Sequence, residues 1–167
     1  MKSVKLLFSG LVLLFFLQAC VSYSFVGVDI PAQASTVCIK QFQNNAPSVN
    51  LKLSNELTTQ LKDRFRSSTK LTLVDSRGDL HIEGEITGYS HEDVAQGADM
   101  TTMHRLTITI RIKYENRFDE SKNVEKTLSR YLEFDRNKSL QQVEDDLVRQ
   151  ICEALVDDIF AATVGNW

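Results

Sequence analysis

Leu53, Leu57, Leu61 and Phe65 recur at every fourth position among polar residues, a spacing that lines one side of an α-helix with apolar side chains. The stripe predicts a helix from about Val49 to Ser67, with Lys62, Arg64 and Arg66 lying mostly off it. A second, longer stripe of Leu140, Val143, Leu147, Ile151, Leu155 and Ile159 predicts a helix from about Leu140 to Ala162. Ser139 and Gln142 stand at capping-box spacing at its start. At about 1.5–3 kcal/mol per large side chain buried, docking either stripe gains on the order of 10 kcal/mol, most of it offset by the cost of ordering the chain.

Between the two stripes the repeat shortens to two. Leu80, Ile82 and Ile86 alternate with His81, Glu83, Glu85, Thr87 and Tyr89. From His104 to Asn116, Leu106, Ile108, Ile110, Ile112 and Tyr114 alternate with Arg105, Thr107, Thr109, Arg111 and Lys113. Val124, Leu128, Leu132 and Phe134 mark a third long strand. One apolar face and one wet face is the pattern of an antiparallel sheet covered on one side. Two short β-rich runs, Thr36 to Phe42 and Leu71 to Val74, flank the first helix, with turn residues at Asn44-Asn45-Ala46-Pro47 and Asp75-Ser76-Arg77-Gly78. The order β-α-β-β-β-β-α suits a parallel crossover followed by a meander. The simplest arrangement is α+β: a two-layer sandwich, two helices packed on one face of a mostly antiparallel four- to five-stranded sheet. Arg130 interrupts the pattern on the side of Leu128 and Leu132. A bulge, an edge position, an acid on the last helix such as Glu144 or Asp158, or a ligand headgroup must account for a charge there.

Ahead of Thr36 the pattern changes. Lys2 and Lys5 precede an apolar run that closes on Leu17-Gln18-Ala19-Cys20. A basic start, an apolar middle and a small residue before the cut site make a secretory signal, and a cysteine directly after the cut is the pattern of a bacterial lipoprotein. The run from Leu6 to Ala19 has 14 residues, short of the roughly 20 a membrane-spanning helix needs. Residues 1–19 are therefore expected to be a signal peptide, 20–35 a lipidated cysteine and tether, and 36–167 a single domain. Two or more acyl chains on Cys20 make anchoring stable. The 148 residues left after removal of the first 19 suit one domain.

Loss of Lys2 and Lys5 takes the formal charge from −3 to −5. That argues against a nucleic-acid partner and confines polyanion contact to a local basic strip. Arg105, Arg111 and Lys113, on one face of one strand, are the candidates for binding anionic groups. The blander reading is a solvated face laced with cross-strand ion pairs, with Glu83 opposite Arg111 and His81 opposite Lys113. His91, Glu92, Asp93, Asp99 and His104 gather at the end of the same hairpin. Two imidazoles and a carboxylate suit zinc, but the spacing is irregular and no metal site is expected. No hydrolase elbow, HExxH, P-loop or dinucleotide glycine pattern occurs, so no catalytic residues are assigned and an enzyme is not expected. No cofactor is expected beyond the covalent lipid on Cys20. Cys38 and Cys152 would meet oxidising conditions, and the sequence leaves their pairing open.

The chain resembles the LPS-assembly lipoprotein family, LptE, over almost its whole length. The residues that carry the resemblance are the lipobox, Tyr23-Ser24-Phe25, Gly27, Ile30-Pro31, Val37 to Phe42 and Asn44-Asn45. They continue through Leu61 to Phe65, Leu71 to Val74, Asp79 to Ile86, Tyr89, Arg105 to Ile108, Val143 to Leu147, Leu155 to Phe160 and Asn166-Trp167. The resemblance implies two helices on a mostly antiparallel sheet and a place at the periplasmic side of an outer membrane. It also implies an LptD-like outer-membrane β-barrel as partner, which the protein would plug and help assemble, and contact with lipopolysaccharide during its insertion into the outer leaflet. The alternative is a periplasmic lipoprotein that scaffolds another envelope complex without glycolipid binding.

Overall fold

The computed structural model describes residues 28–48, 50–96 and 101–165. Cys20 with the signal, residues 21–27 of the tether, Asp99 and Asn166-Trp167 lie outside the described residues. The strands are β1 (Thr36–Ile39), β2 (Gln43–Asn44), β3 (Thr72–Val74), β4 (Leu80–Gln96), β5 (Thr101–Asn116) and β6 (Val124–Asp135). The helices are α1 (Leu53–Ser68) and α2 (Leu140–Val164), with one 3₁₀ turn at Glu120–Lys122.

Both helices form where the stripes predict and bury them. Leu53, Leu57, Leu61 and Phe65 of α1 are fully buried, and Leu147, Ile151, Leu155 and Ile159 of α2 are buried as well. The N-terminus of α2 is fastened as its capping-box spacing predicts, the Gln142 side-chain oxygen accepting the Ser139 N–H at 2.9 Å. Lys52 pairs with Asp145, Gln60 bonds the Arg149 carbonyl and Arg64 approaches Asp157. The numbers rise together along both helices, so α1 and α2 run parallel, side by side. Phe65 and Phe160 meet edge to face at 5.2 Å between ring centroids.

The helices cover one face of a six-stranded mixed sheet ordered β3-β1-β4-β5-β6, with β2 added alongside β4. The α+β sandwich is the one expected. The three long strands are antiparallel, while the short ones pair in parallel: β1 with β3, β1 with β4, and β2 with β4. Of the run Thr36 to Phe42 only Thr36–Ile39 is strand, and a second short strand, β2, follows at Gln43–Asn44. Phe42 turns into the core at the break, and helix α1 satisfies its backbone: Thr58 Oγ1 accepts its N–H at 3.1 Å and Ser54 Oγ donates to its carbonyl at 2.5 Å. Gly84 makes room for the Phe42 ring, which a Cβ at that position would meet at 2.5 Å.

The link from β3 to β4 crosses the helix-free side of β1. Arg77 takes a left-handed φ of 54°, and Gly78 lies so close to β1 that a Cβ there would stand 2.6 Å from the Cys38 nitrogen. Asp79 then anchors the crossing. Its Oδ2 accepts from the backbone N–H groups of Ser35 and Thr36 at 2.9 and 3.0 Å and from the Thr36 hydroxyl at 2.8 Å. These bonds, the Ser35 N–H first among them, hold the Asp79 carboxyl down at about 2. Cys38 is buried under this crossing, whereas Cys152 is buried in the helix-side core. The strand alternation points Val37 and Ile39 toward that core and Cys38 away from it. The two thiols are thus on opposite sides of the sheet and free, and burial pushes the Cys152 thiol up to about 12.

Candidate functional site

The face of the sheet without helices is where a partner finds uncovered protein. On it the polar halves of the alternating strands form cross-strand rows. Glu92, Arg105 and Glu133 make one row, Glu85, Arg111 and Thr127 another, and Glu83, Lys113 and Glu125 a third. The observed register puts Glu83 opposite Lys113, Glu85 opposite Arg111 and His81 opposite Glu115. This corrects the expected pairing by two residues. A slip of two leaves every side chain on its own face, so alternation alone cannot detect it.

All three basic candidates stand on this outer face, but they do not form one patch. Arg105 is six positions from Arg111, about 20 Å along an extended strand. Its guanidinium bonds Glu133 Oε1, with Nη2 at 2.5 Å, and lies 4.2 Å from the centroid of the Tyr131 ring. The hydrogen bond to Glu133 raises the Arg105 pKa above the usual guanidinium value. Arg111 Nη1 approaches Glu85 Oε1 at 3.2 Å. Lys113 Nζ lies 2.7 Å from Glu115 and 3.8 Å from Glu83. Glu115 raises the Lys113 pKa, first through that hydrogen bond. The side chains of Arg111 and Lys113 remain 55 % and 50 % exposed.

Arg111 and Lys113 line an open groove of about 660 Å³ with Lys40, Gln43, Glu83, Glu85 and Glu125. Lys40 belongs to this site and sequence reading missed it. Its outward direction follows from the alternation of Val37 and Ile39, but its place beside β4 depends on a parallel pairing that the pattern does not encode. Tyr131, 55 % exposed beside Arg105, was missed for a similar reason. It becomes a site residue only through the β5–β6 register. Three cations and three acids around one groove make a surface that can exchange internal ion pairs for an anionic headgroup, since exposed pairs are weakly held.

Two other residues turn out differently or more specifically than their pattern suggests. Tyr89, expected on the wet face, is buried on the helix side. A bulge between Ile86 and Gly88 leaves Thr87 unpaired and reverses the alternation beyond it. The Tyr89 hydroxyl donates to Glu144 Oε1 at 2.5 Å, and Asn50 donates to the same oxygen at 2.7 Å. Burial, aided by Glu144, raises the Tyr89 phenol well above its usual range. Gly88 was the available sign, because an isolated glycine within a strand often marks a bulge. Arg130 combines two of the explanations open to it. It lies on edge strand β6 and makes a bidentate pair with Asp158 of α2, both contacts at 2.6 Å.

The class defined by this geometry is an α+β sandwich with one helix-covered face and one open, charge-laced face. The lipopolysaccharide-assembly family LptE matches residues 34–163, and the chain belongs to that family. It is a family of non-enzymatic envelope lipoproteins that take part in lipopolysaccharide assembly, with no known cofactor. Among solved structures, a minor lipoprotein from Acinetobacter baumannii is 17% identical, with a TM-score of 0.51, covering 76% of this chain and 90% of its own. A hypothetical protein from Chlamydia trachomatis is 8% identical with a TM-score of 0.52, covering 78% of this chain and 98% of its own. A Xanthomonas campestris protein is 10% identical with a TM-score of 0.52, covering 81% and 91%. At these identities the likeness is one of fold. No curated protein matches the chain in sequence. Among the described residues no helix is long and apolar enough to cross a membrane.

Proposed function

We propose that this protein is an outer-membrane lipoprotein that assembles with and plugs the LptD β-barrel and aids insertion of lipopolysaccharide into the outer leaflet. The observation that carries the reading is the family match over residues 34–163. Residues 1–19 act as the signal peptide, and acylated Cys20 holds the domain on the periplasmic side of the membrane. The helices already occupy one sheet face, so the outer face and the sheet edges are the surfaces left for a barrel wall or a glycolipid. Arg111 and Lys113, with Arg105 farther along β5, contact the phosphates of lipopolysaccharide. Charge-assisted hydrogen bonds to phosphate replace their bonds to Glu85, Glu115 and Glu133.

Site-specific crosslinkers along residues 105–113 test the partner, and a large outer-membrane barrel is the expected capture. Capture of only a soluble or inner-membrane component would assign the protein to another envelope complex. Intact mass of the protein extracted from the envelope tests the anchor, and an unmodified Cys20 would overturn it. Arg111→Ala combined with Lys113→Ala should weaken lipopolysaccharide binding, with the loss largest at low salt. Unchanged affinity removes these residues from the contact.

A further inference from the structure

The bulge at Thr87 has a second effect, at the far end of the β4–β5 hairpin. By plain alternation from Leu80, His91 and Asp93 belong to the wet face, with the sheet between them and His104. The bulge moves both to the helix side, so that Asp93 pairs directly with His104 and His91 stands one step along, opposite Leu106. One donor atom from each of His91, Asp93 and His104 now lies within 4.8 Å of the others. His104 Nδ1 is 2.5 Å from Asp93 Oδ1. The rings of His91 and His104 lie 5.1 Å apart between centroids, and both rest on Phe134, at 5.6 and 5.2 Å. Phe134 is itself buried, so it gives the two imidazoles a fixed apolar support.

We infer that His91, Asp93 and His104 form a binding site for a divalent transition-metal ion, zinc by the character of its donors. Zinc takes imidazole nitrogen at about 2.0–2.1 Å and carboxylate oxygen at about 2.0–2.2 Å in a tetrahedron, which sets donors about 3.3 Å apart. The observed cluster spans that distance. The Asp93–His104 contact opens by somewhat under 1 Å as a metal replaces the hydrogen bond, and the wider separations close by side-chain rotation. Three protein donors leave a fourth position for water on the exposed side. His91 and Asp93 come from β4 and His104 from β5, so the ion ties the two strands together at the hairpin's far end. This inference stands on cluster geometry and is independent of lipopolysaccharide binding. It also reverses the expectation of no metal, which followed from an irregular spacing that the bulge makes regular in space.

The test uses the full chain extracted from its envelope in detergent, carrying an affinity tag without histidine and stripped of metal by a chelator. Zn²⁺ alone is titrated against a chromophoric competitor, and Co²⁺ reports geometry through its visible absorption. We expect one zinc per chain at micromolar affinity and a tetrahedral cobalt spectrum. His104→Gln and Asp93→Asn should each lower zinc affinity on the order of 100-fold, whereas His81→Gln should leave it unchanged. The Asp93 side chain is 68 % exposed, so Asp93→Asn should keep the metal-free melting temperature and lose only its rise with zinc. The proposal is overturned if zinc binds no tighter than millimolar, if both site variants bind as the parent does, or if His81→Gln causes an equal loss.

Discussion

The two faces of strand β5 are made from alternate residues of one segment, yet they are held by different physics. On the helix side Leu106, Ile108, Ile110 and Ile112 have no exposed surface, enclosed in the core between the neighbouring strands and α2. On the outer side Arg105, Arg111 and Lys113 lean on acidic neighbours, and Arg111 and Lys113 keep about half of their side-chain surface in water. Burial excludes solvent, so a lost methyl group leaves a hole that the structure only partly closes. Water fills the gap left by a lost surface charge. The inner face should therefore govern whether the protein folds, and the outer face what it binds.

The sharpest way to break that division is Leu57→Ala on α1. Leu57 is fully buried in the stripe that faces the sheet, and the substitution should cost about 2–5 kcal/mol. Urea unfolding measures it, and Leu147→Ala on α2 should fall in the same range. A near-neutral result for both would mean that the stripes do not seal the core.

Next in size is the polar tie within the apolar layer. Tyr89→Phe removes the hydroxyl that donates to Glu144, and that carboxylate keeps its bond from Asn50. A hydrogen bond to a charged group contributes about 1.5–3 kcal/mol, and because the half-buried Glu144 keeps this second bond the loss should lie at the low end of that range. The loss should appear in urea unfolding at neutral pH, with the fold unchanged by circular dichroism. A surface tyrosine, as the simple alternation placed it, would show almost no effect, so this variant also tests the bulge.

How much of this was legible in the sequence depends on the range of the interaction that decides each feature. The helices were, because Leu53 to Phe65 and Leu140 to Ile159 carry their own period and Ser139 with Gln142 marks a start. The faces of β5 were, because ten residues alternate without a break. The register of β4 against β5 was not, since a two-residue slip preserves every face. The fate of Tyr89, His91 and Asp93 was hidden because one unpaired residue, Thr87, inverts everything after it, and Gly88 was its only local sign. The parallel crossover from β1 to β3 was legible in the β-α-β order, but the parallel pairing of β1 and β2 with β4 was hidden. There Phe42 packs over Gly84 of β4, a contact between distant segments that no local pattern announces. Arg130 was half legible: the broken alternation announced a partner, and Asp158 was among the acids named for it.

A smaller effect, visible only against pH, comes from Asp79 at the crossing over β1. Its folded carboxyl titrates at about 2, below the ordinary value near 3.9. A depressed carboxyl contributes stability that is fully present above its unfolded pKa and is lost as pH falls through the folded one. The contribution should therefore hold above about pH 4 and fade between about pH 4 and pH 2. Asp79→Asn should lower the urea midpoint at pH 6, and its difference from the parent should shrink across that window. A constant difference would mean that the carboxyl's charge does not hold the crossing.

The smallest expected effect on folding, and the one that sharpens the comparison most, is Arg111→Ala. Its side chain is more than half exposed and its bond to Glu85 is made in water. Surface substitutions of this kind stay within about 0.5 kcal/mol. Glu85 keeps a second contact, accepting from Asn45 Nδ2 at 2.7 Å, so removal of the guanidinium leaves the row of β4 in place. Unfolding curves for Arg111→Ala should overlay those of the parent, while lipopolysaccharide binding falls. If stability drops as far as it does for Tyr89→Phe, the outer face carries folding as well as recognition, and the division between the two sides of β5 fails.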